Sequence, residues 1–381
     1  MKWEKVRLED CCYSISDGDH QPPPKAQQGI PFVTISNINS MNQLDFSDTM
    51  FVPKEYYQSL DEKRKVRKGD VLYSVVGSFG IPVLIKEERP FVFQRHIAIL
   101  RPKEDIVDSG FLFYTMLNRD FYAKADAVAI GAAQRTVSLG SLRNIKIDVP
   151  SLESQKHIAD ILSAYDDLIE NNQKQIKLLE EAAQRLYKEW FVDLRFPGHE
   201  STKIVDGVPE EWRKFPLEEI APVVTGKKDA NYGDKGGNYP FFTCSQETIT
   251  APGYSFDTSA VILAGNGDFN VKLYRGKFEA YQRTYVLAPF DHSNLFNLYF
   301  TVQDNMEALA KGASGSTIKF LTKGMLQKIL VLTADKKILD KFNDYEENIQ
   351  QKVEALKKQV EDLTEIRNRL LPKLMSGEVE V

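Results

Sequence analysis

The chain has 381 residues, which is too many for one ordinary hydrophobic core and about right for two. Apolar residues make up 42% of the chain and charged residues 27%, a globular composition that excludes a disordered or collagen-like protein. The net charge of −5 argues against a basic protein that coats nucleic acid without selectivity, but it leaves room for a locally basic groove.

The cysteines and the apolar stretches indicate the cellular compartment of the protein. Three cysteines have neither the even number nor the spacing of a disulfide framework or a zinc site, which favours a reducing environment. The first residues alternate charged and apolar side chains, unlike a signal peptide, and no stretch approaches 18 uninterrupted apolar residues. We therefore expect a cytoplasmic protein.

A long-period repeat organises the chain. Four residues around position 160 recur 180 residues later: Ile158, Asp160, Tyr165 and Ile169 match Ile338, Asp340, Tyr345 and Ile349. Upstream, residues 93–95 resemble 281–283, and residues 131–136 resemble 312–317. The order is module, helix, module, helix, and the first copy carries about 28 extra residues that belong in loops.

Two long helices are predicted from an unbroken heptad spacing of apolar residues. The seam of the first helix is Ile158, Leu162, Tyr165, Ile169, Asn172, Ile176, Leu179, Ala183, Leu186 and Trp190. The seam of the second is Ile338, Phe342, Tyr345, Ile349, Lys352, Leu356, Gln359, Leu363, Ile366 and Leu370. Pro197 and Pro372 are expected to end the helices, each of which should be about 35 residues or ~50 Å long. The matching polar positions Asn172 and Lys352 are expected to fix the register.

Two interpretations of these helices stay open. They could form an antiparallel pair that only holds the modules apart, or a pair that also docks another protein. A second apolar stripe favours docking, because it widens the apolar face beyond what one partner helix covers. This stripe consists of Ile161, Leu168, Leu178 and Ala182 on the first helix, with Val353 and Val360 on the second.

The modules read as β-rich with some helix. Short strands are predicted at 30–35, 71–76, 91–93 and 97–100 and a helix at 111–117, with counterparts at 261–263, 285–287 and 297–300. The net charges of residues 1–150 and 209–333 are +1 and 0, whereas the helical segments 151–208 and 334–381 carry −4 and −2. The nearly neutral modules could therefore face a polyanion if their cations lie on one side.

Catalytic signatures are missing from the sequence. The five histidines have no metal-ligand spacing. Residues 226–228 lack the rest of a phosphate-binding loop, and 265–267 lack the strand-turn-helix context of a dinucleotide fingerprint. We therefore predict no catalytic residue and no metal ligand.

Several loops instead carry side chains suited to reading base edges, since Gln can bond adenine in two places and Arg can bond guanine in two places. In module one the candidates are Ser74, Ser78, Gln94, Arg95, His96, Gln134, Arg135 and Thr136. In module two they are Lys227, Lys228, Ser245, Gln246, Asn266, Gln282, Arg283, Thr284, Ser314, Ser316, Thr317 and Lys319. The alternative that Gln94 and Arg95 are ordinary strand residues stays open.

These features together resemble a known family. Residues 145–162, followed by the heptad helix, closely resemble the central conserved region of type I restriction-modification specificity subunits. Residues 207–212 are similar to the family's usual domain entry, and 29–33 and 69–80 resemble patterns of its recognition domains. The resemblance covers nearly the whole chain. One departure is that module two has Gly265-Asn266-Gly267-Asp268 where module one has a Gly-Ser-x-Gly turn.

The resemblance implies an α+β fold with a pseudo-twofold tandem repeat, in which two long antiparallel coiled-coil helices separate two β-rich α/β target recognition domains. The segments are recognition domain one at 1–150, a central conserved helical region and linker at 151–208, recognition domain two at 209–333, and a C-terminal conserved helical region at 334–381. Each recognition domain would read one half of a bipartite DNA site, and the helices would act as a ruler between them.

The resemblance also implies partners. Two methyltransferase subunits would dock on the helices, and restriction subunits would attach through them. This chain would be non-catalytic and hold no cofactor, since S-adenosylmethionine, ATP and Mg belong to the partner subunits. A different class of function also stays open: a coiled-coil adaptor whose two modules bind proteins rather than DNA.

Overall fold

A computed structural model describes residues 3–18, 20, 22–132, 134–315 and 319–381. The chain forms two compact units, Met1–Gln173 with Lys358–Val381, and Lys174–Lys357. Each unit contains one module and a part of each long helix. The units therefore do not coincide with the consecutive segments predicted from the sequence, because each module packs with parts of two antiparallel helices.

The strands and helices of module one lie between residues 4 and 149. The strands are β1 (Glu4–Arg7), β2 (Cys12–Asp17), β3 (Ile30–Val33), β4 (Met50–Val52), β5 (Val71–Ser74), β6 (Pro82–Leu84), β7 (Val92–Phe93), β8 (Ile97–Pro102) and β9 (Lys146–Val149). The helices are α1 (Leu8–Cys11), α2 (Lys54–Ser59), α3 (Ser109–Leu117), α4 (Arg119–Ala127) and α5 (Leu139–Asn144), with 3-10 turns at Ile35–Asn37 and Glu62–Arg64.

The first long helix, α6, spans Leu152–Tyr187 and continues into a π-helical turn at Lys188–Val192. The strands that follow are β10 (Ile204–Val205), β11 (Val208–Pro209), β12 (Arg213–Pro216), β13 (Val223–Thr225), β14 (Tyr239–Phe242), β15 (Ile249–Ala251), β16 (Phe256–Ala264), β17 (Val271–Ala280), β18 (Thr284–Leu287) and β19 (Leu330–Thr333). The helices are α7 (Leu217–Ile220), α8 (Leu295–Asp304), α9 (Met306–Gly312), α10 (Lys323–Gln327) and the second long helix α11 (Lys336–Met375), with 3-10 turns at His199–Ser201, Ala230–Tyr232 and His292–Asn294.

Among the described residues, module one contains three sheets. The four-stranded sheet has the order β2-β8-β5-β6 with antiparallel neighbours. The three-stranded sheet has the order β4-β3-β7, in which β3 and β7 run parallel. The first and last strands of the module, β1 and β9, pair with each other, so that Glu4 lies opposite Val149 just before α6 begins.

Module two repeats this topology in one continuous sheet, with the order β13-β18-β16-β17-β14-β15. The long strand β17 pairs antiparallel with β16 along its first part and parallel with β14 at Glu279 and Ala280. It thus takes the places of both β6 and β7. The closing pair recurs as β12 and β19. The predicted α+β tandem repeat is therefore confirmed at the level of strand order.

One close approach is built the same way in both modules. Gly18 follows β2 and donates its backbone N–H to Ile97, and a Cβ added there would lie 2.2 Å from the Phe93 carbonyl oxygen. Gly226 follows β13 and donates to Thr284, and a Cβ there would lie 1.9 Å from the Ala280 oxygen. Only glycine fits where two backbones approach this closely.

The two predicted long helices are confirmed, but the expected stop at Pro372 was wrong. Helix α11 runs on to Met375, so Pro372 lies one turn inside its end. The helix ends at Gly377, which has a left-handed φ of 72° and donates its N–H to the Leu374 carbonyl. A left-handed glycine of this kind is a common helix terminator, and a proline within the last turn removes only one backbone bond.

The helices pack antiparallel within each unit. In the first unit, Asn172 of α6 donates to Gln359 of α11 at 3.2 Å, and Arg367 of α11 contacts Asp166 of α6 at 2.6 Å. Asn172 is buried. Its amide therefore has a specific partner in the seam, Gln359.

The seam of α11 differs from the predicted one at alternate positions. Tyr345 and Ile366 are about half exposed and Lys352 is exposed, whereas Glu346, Val353 and Leu356 are buried. At these positions the residue that follows is less exposed, and residues 346, 353, 360 and 367 keep the same seven-residue spacing, so the offset of one residue does not grow along the helix. Val353 and Val360, predicted as an outer stripe, therefore lie on the less exposed side.

The predicted seam residues of α6 are buried or half-buried. Ile158, Leu162, Ile169, Asn172, Ala183 and Trp190 are buried, while the others are half-buried: Tyr165, Ile176, Leu179 and Leu186. On α11, Ile338, Phe342 and Leu356 are buried, and Ile349, Leu363 and Leu370 are half-buried.

Candidate nucleic-acid interface

The turn that follows β5 exposes polar groups at one edge of module one. Gly77 and Gly80 have left-handed φ values of 72° and 98°, which side chains rarely adopt. The Ser74 hydroxyl donates to the Ser78 carbonyl and accepts from the Ile81 N–H, both at 2.9 Å. Ser74 is fully buried, so it shapes the turn and offers no surface to DNA, whereas Ser78 is exposed.

A second loop is bonded to this turn. Ile130 and Thr136 exchange two backbone hydrogen bonds of 2.9 and 2.8 Å. Thr136 also forms an isolated antiparallel β-bridge with Val76, and the Gly77 N–H donates to the Arg135 carbonyl at 2.9 Å. The structure therefore brings Ser78 together with Gln134, Arg135 and Thr136, as a rim at one edge of module one.

The turn between β7 and β8 belongs to the same rim. Its Gln94 and His96 are half-buried, and its Arg95 is exposed. The Val75 N–H donates to the His96 carbonyl at 2.8 Å, which ties this turn to the end of β5. A cavity of about 320 Å³ lies beside the three side chains, and Phe32 is among the apolar residues that line it.

The two arginines of this rim differ in their surroundings. Arg135 is held by Asp126, whose carboxylate lies 2.9 Å from its guanidinium and whose carbonyl accepts a second bond at 2.6 Å. Arg95 has no ion pair with any residue that the structure describes. Arg135 is thus an oriented and partly neutralised donor, while Arg95 retains its full charge for an anion or a guanine edge.

Module two builds the same rim from different residues. Gly267 has a φ of 69°, close to the 72° of Gly77, and Asn266 bridges Phe320 just as Val76 bridges Thr136. The apparent departure in the sequence is therefore resolved: Gly267-Asp268-Phe269-Asn270 takes the place of Gly77-Ser78-Phe79-Gly80.

The structure also corrects the alignment of the next loop. Ser314 and Phe320 exchange two backbone bonds, as Ile130 and Thr136 do. Gly315 has a φ of 105°, and its counterpart Gly131 has 100°. The residue that matches Gly131 is therefore Gly315 and not Gly312, because the loop shifts by three residues relative to the sequence match.

The remaining candidates of module two lie around the turn before β18. Lys227, Gln282 and Arg283 are exposed there, and the Gln282 backbone N–H donates to the Lys228 carbonyl at 2.9 Å. The Lys228 ammonium lies 4.4 Å from the centre of the Tyr232 ring. Thr284 is fully buried and, like Ser74, is not available to DNA in this conformation.

Ser245 and Gln246 are exposed after β14. The Ser245 carbonyl accepts a 2.8 Å bond from Lys272, a cation that the sequence did not single out because it lies within a strand. Burial lowers the pKa of Lys272. Ser314 and Lys319 are exposed, while Ser316 and Thr317 lie outside the described residues.

The described ranges contain no group of three or more His, Cys, Asp or Glu side chains that could hold a metal ion. Within the same ranges, no helix combines the length and apolar character needed to cross a membrane.

The long helices carry apolar side chains that neither module covers. Leu168 and Ile366 are about half exposed in the first unit. In the second unit Leu178 is 64% exposed and Tyr345 is 57% exposed, although Tyr345 also packs edge-on against Trp190. Apolar groups left open on a helix pair are typical of a surface that binds another protein.

Comparisons with known proteins agree with this architecture. The EcoDI specificity subunit of Escherichia coli is 37% identical over 176 residues, which cover 45% of this chain and 39% of that protein. The HindI specificity subunit of Haemophilus influenzae is 22% identical, and the alignment covers 99% of both chains. This chain therefore spans less than half of the first relative and nearly all of the second.

A solved structure shares the fold. The crystal structure of the type I restriction-modification system S subunit from M. genitalium matches with a TM-score of 0.65 at 17% identity, covering 98% of this chain and 96% of that one. A family model described as the type I restriction modification DNA specificity domain matches residues 1–181 and 209–362. Because the segments matched by the family model cover more than half of the chain, it belongs to the family of type I restriction-modification DNA specificity subunits.

Proposed function

We propose that this chain reads a bipartite DNA target, with each module contacting one half-site. The observation that carries the proposal is a rim of three bonded turns, built twice on the same topology but furnished with different side chains. A repeated scaffold with exchanged polar groups is what two readers of different sequences require, because base edges are distinguished by their donors and acceptors.

The exposed members of the rims are the proposed base and phosphate contacts. In module one these are Ser78, Arg95, Gln134 and Arg135, supported by Gln94, His96 and Thr136. In module two they are Lys227, Ser245, Gln246, Gln282, Arg283, Ser314 and Lys319, supported by Lys228 and Asn266. Cations gathered at one edge of a nearly neutral module can face the phosphate backbone despite the negative net charge of the chain.

We further propose that two methyltransferase subunits dock on the long helices, and that restriction subunits attach through them. The exposed Leu168, Leu178, Tyr345 and Ile366 support this docking. S-adenosylmethionine, ATP and Mg would then be bound by the partner subunits in the cytoplasm, and this chain would supply sequence selection without catalysis.

Methylation mapping tests the proposal. The chain is co-expressed with a type I methyltransferase subunit from the same genome, and methylated adenines are mapped across a plasmid. We expect a motif of two short specific segments separated by a non-specific spacer. Methylation without sequence selectivity would contradict the proposal, and so would selective methylation by the methyltransferase alone.

A second measurement tests the non-catalytic role. The purified chain, incubated with DNA and S-adenosylmethionine or with DNA and Mg, should leave the DNA unchanged. Methylation or cleavage by the chain alone would show that it carries its own active site.

A further inference from the structure

Each rim presents one exposed apolar side chain at the same place. We call the two residues that exchange a pair of backbone hydrogen bonds across this loop a rung. In module one the rung is Ile130 with Thr136, and Ile130 is 67% exposed. In module two the rung is Ser314 with Phe320, and Phe320 is 40% exposed. Both rungs pair an apolar side chain with a hydroxyl. The apolar residue comes first along the chain in module one and second in module two.

The backbone holds these rungs firmly. Beyond the two bonds within each rung, Val137 donates to the Val75 carbonyl at 2.9 Å in module one. Leu321 donates to the Gly265 carbonyl at 2.8 Å in module two. A rung braced in this way presents its apolar side chain to solvent at a fixed position instead of letting it fold back onto the core.

Isolated exposed apolar residues are common and need no explanation. Here the feature recurs on equivalent rungs that have no sequence similarity, next to the exposed cations Arg135 and Lys319. Cations beside an apolar group fit a surface that meets DNA, where the apolar group can reach a base while the cations meet phosphates.

Thymine is the base that matches a rung. In the major groove it presents a C5-methyl group next to the O4 acceptor, and no other DNA base offers this combination. We propose that each rung reads one thymine of its half-site, with Ile130 or Phe320 against the methyl group. The hydroxyl of Ser314, or that of Thr136 in exchange for its 3.5 Å bond to the Gln134 carbonyl, donates to O4. This inference rests on the proposed function, since it requires the rims to face DNA.

Replacing thymine by deoxyuridine removes the methyl group and nothing else, and so provides the test. The chain is purified in complex with its methyltransferase, and the duplex carries the mapped target with each thymine replaced singly. At constant salt, one replacement in each half-site should weaken binding about fourfold, the equivalent of one buried methyl group. In the Ile130→Ala complex the sensitive position of one half-site should become insensitive, and Phe320→Ala should do the same for the other.

Tyr13→Ala is the matched control, because Tyr13 is 68% exposed in module one but lies outside the rim. This variant should keep both deoxyuridine effects. The inference is overturned if no thymine is sensitive, or if the alanine variants keep the sensitivity of the unaltered complex. A complex that shows no sequence-selective binding at all would overturn the proposed function itself.

Discussion

Tyr114 donates a 2.7 Å hydrogen bond to Asp166 and thereby joins helix α3 of module one to the long helix α6. The other carboxylate oxygen of Asp166 lies 2.6 Å from the guanidinium of Arg367 on α11. The side chains of Asp166 and Arg367 are only 24% and 21% exposed. One shielded carboxylate therefore connects the module to both long helices.

Replacing Asp166 by alanine should lower the free energy of unfolding by about 2 kcal/mol, because a shielded guanidinium and a phenol lose their acceptor. Urea denaturation provides the measurement. Asp167→Ala is the matched control, since Asp167 pairs at 2.9 Å with Lys86 on an exposed surface, where such a pair contributes less than about 1 kcal/mol. Equal losses in the two variants would contradict the assigned role of Asp166.

The second repeat keeps an equivalent of the exposed ion pair between Lys86 and Asp167, but it changes the shielded contacts of Asp166. Arg275 lies 2.7 Å from Glu347, at the positions that match Lys86 and Asp167. Glu346, which matches Asp166, is fully buried, and neither of its carboxylate oxygens has a hydrogen-bond partner among the described residues.

The reason for this difference lies on the partner helix. The residue of α6 that matches Arg367 is Tyr187, whose hydroxyl is 3.0 Å from that of Thr301. Among the described residues, no guanidinium therefore takes the place of Arg367 beside Glu346. Burial raises the pKa of Glu346 to about 8, and burial together with the Glu180 and Glu346 carboxylates raises the pKa of the neighbouring Tyr299 to about 12.

The stability of the chain should consequently depend on Glu346 and on pH. Between the ordinary value of 4.5 and about 8 the folded state holds a proton that the unfolded state has released, so stability falls as pH rises through this range and levels off above it. Glu346→Gln should remove this slope and be more stable than the unaltered chain by about 1–3 kcal/mol at pH 9. Urea denaturation from pH 5 to 9 measures the effect. Glu347→Gln is the control and should retain the slope; identical slopes with and without Glu346 would refute the prediction.

Periodicity made the architecture predictable. The recurrence of Ile158 as Ile338 indicated the tandem repeat, and the heptads indicated both long helices, because these patterns reflect burial on one helix face. The seam of α11 was only partly predictable, since at every second seam position the less exposed residue is the one that follows, so that Val353 takes the place expected for Lys352. The polar residues Lys352 and Gln359 were the available signal of that shift.

The rims were predictable in composition but not in detail. Ser74 and Thr284 stand beside exposed polar residues in the sequence, and only the strand pairing shows that they are buried. The matching of Gly131 with Gly315 depends on backbone bonds across a loop, which shifts by three residues and leaves no trace in sequence identity. Long-range pairing of this kind is what local patterns do not encode.

Arg95 and Arg283, which form no ion pair with a described residue, should act on different half-sites. Arg95→Ala should weaken binding to the mapped target about 10-fold to 100-fold if Arg95 bonds a guanine, and it should relax sequence preference in one half-site only. Arg283→Ala should do the same in the other half-site. Methylation mapping of both variant complexes measures the change. Arg213→Ala is the control, because this exposed arginine lies on β12, the strand paired with β19 just before α11, away from the rim. Relaxation of both half-sites by one variant would contradict the assignment of one module to each.

The exposed apolar residues of the helices should determine assembly. Leu168 and Ile366, both in the first unit, lose their match to an apolar partner surface when replaced by lysine. Each replacement should weaken binding of the methyltransferase about 10-fold or more, the equivalent of one large apolar side chain losing its burial, while the free energy of unfolding stays within about 0.5 kcal/mol. Affinity is measured by titration of the purified subunits, and Met50→Lys, at a similarly exposed site in module one, is the control.

If neither helix variant weakens binding, these residues face only solvent in the complex. The helices would then serve as an intramolecular pair alone, and the methyltransferase would have to dock on the modules.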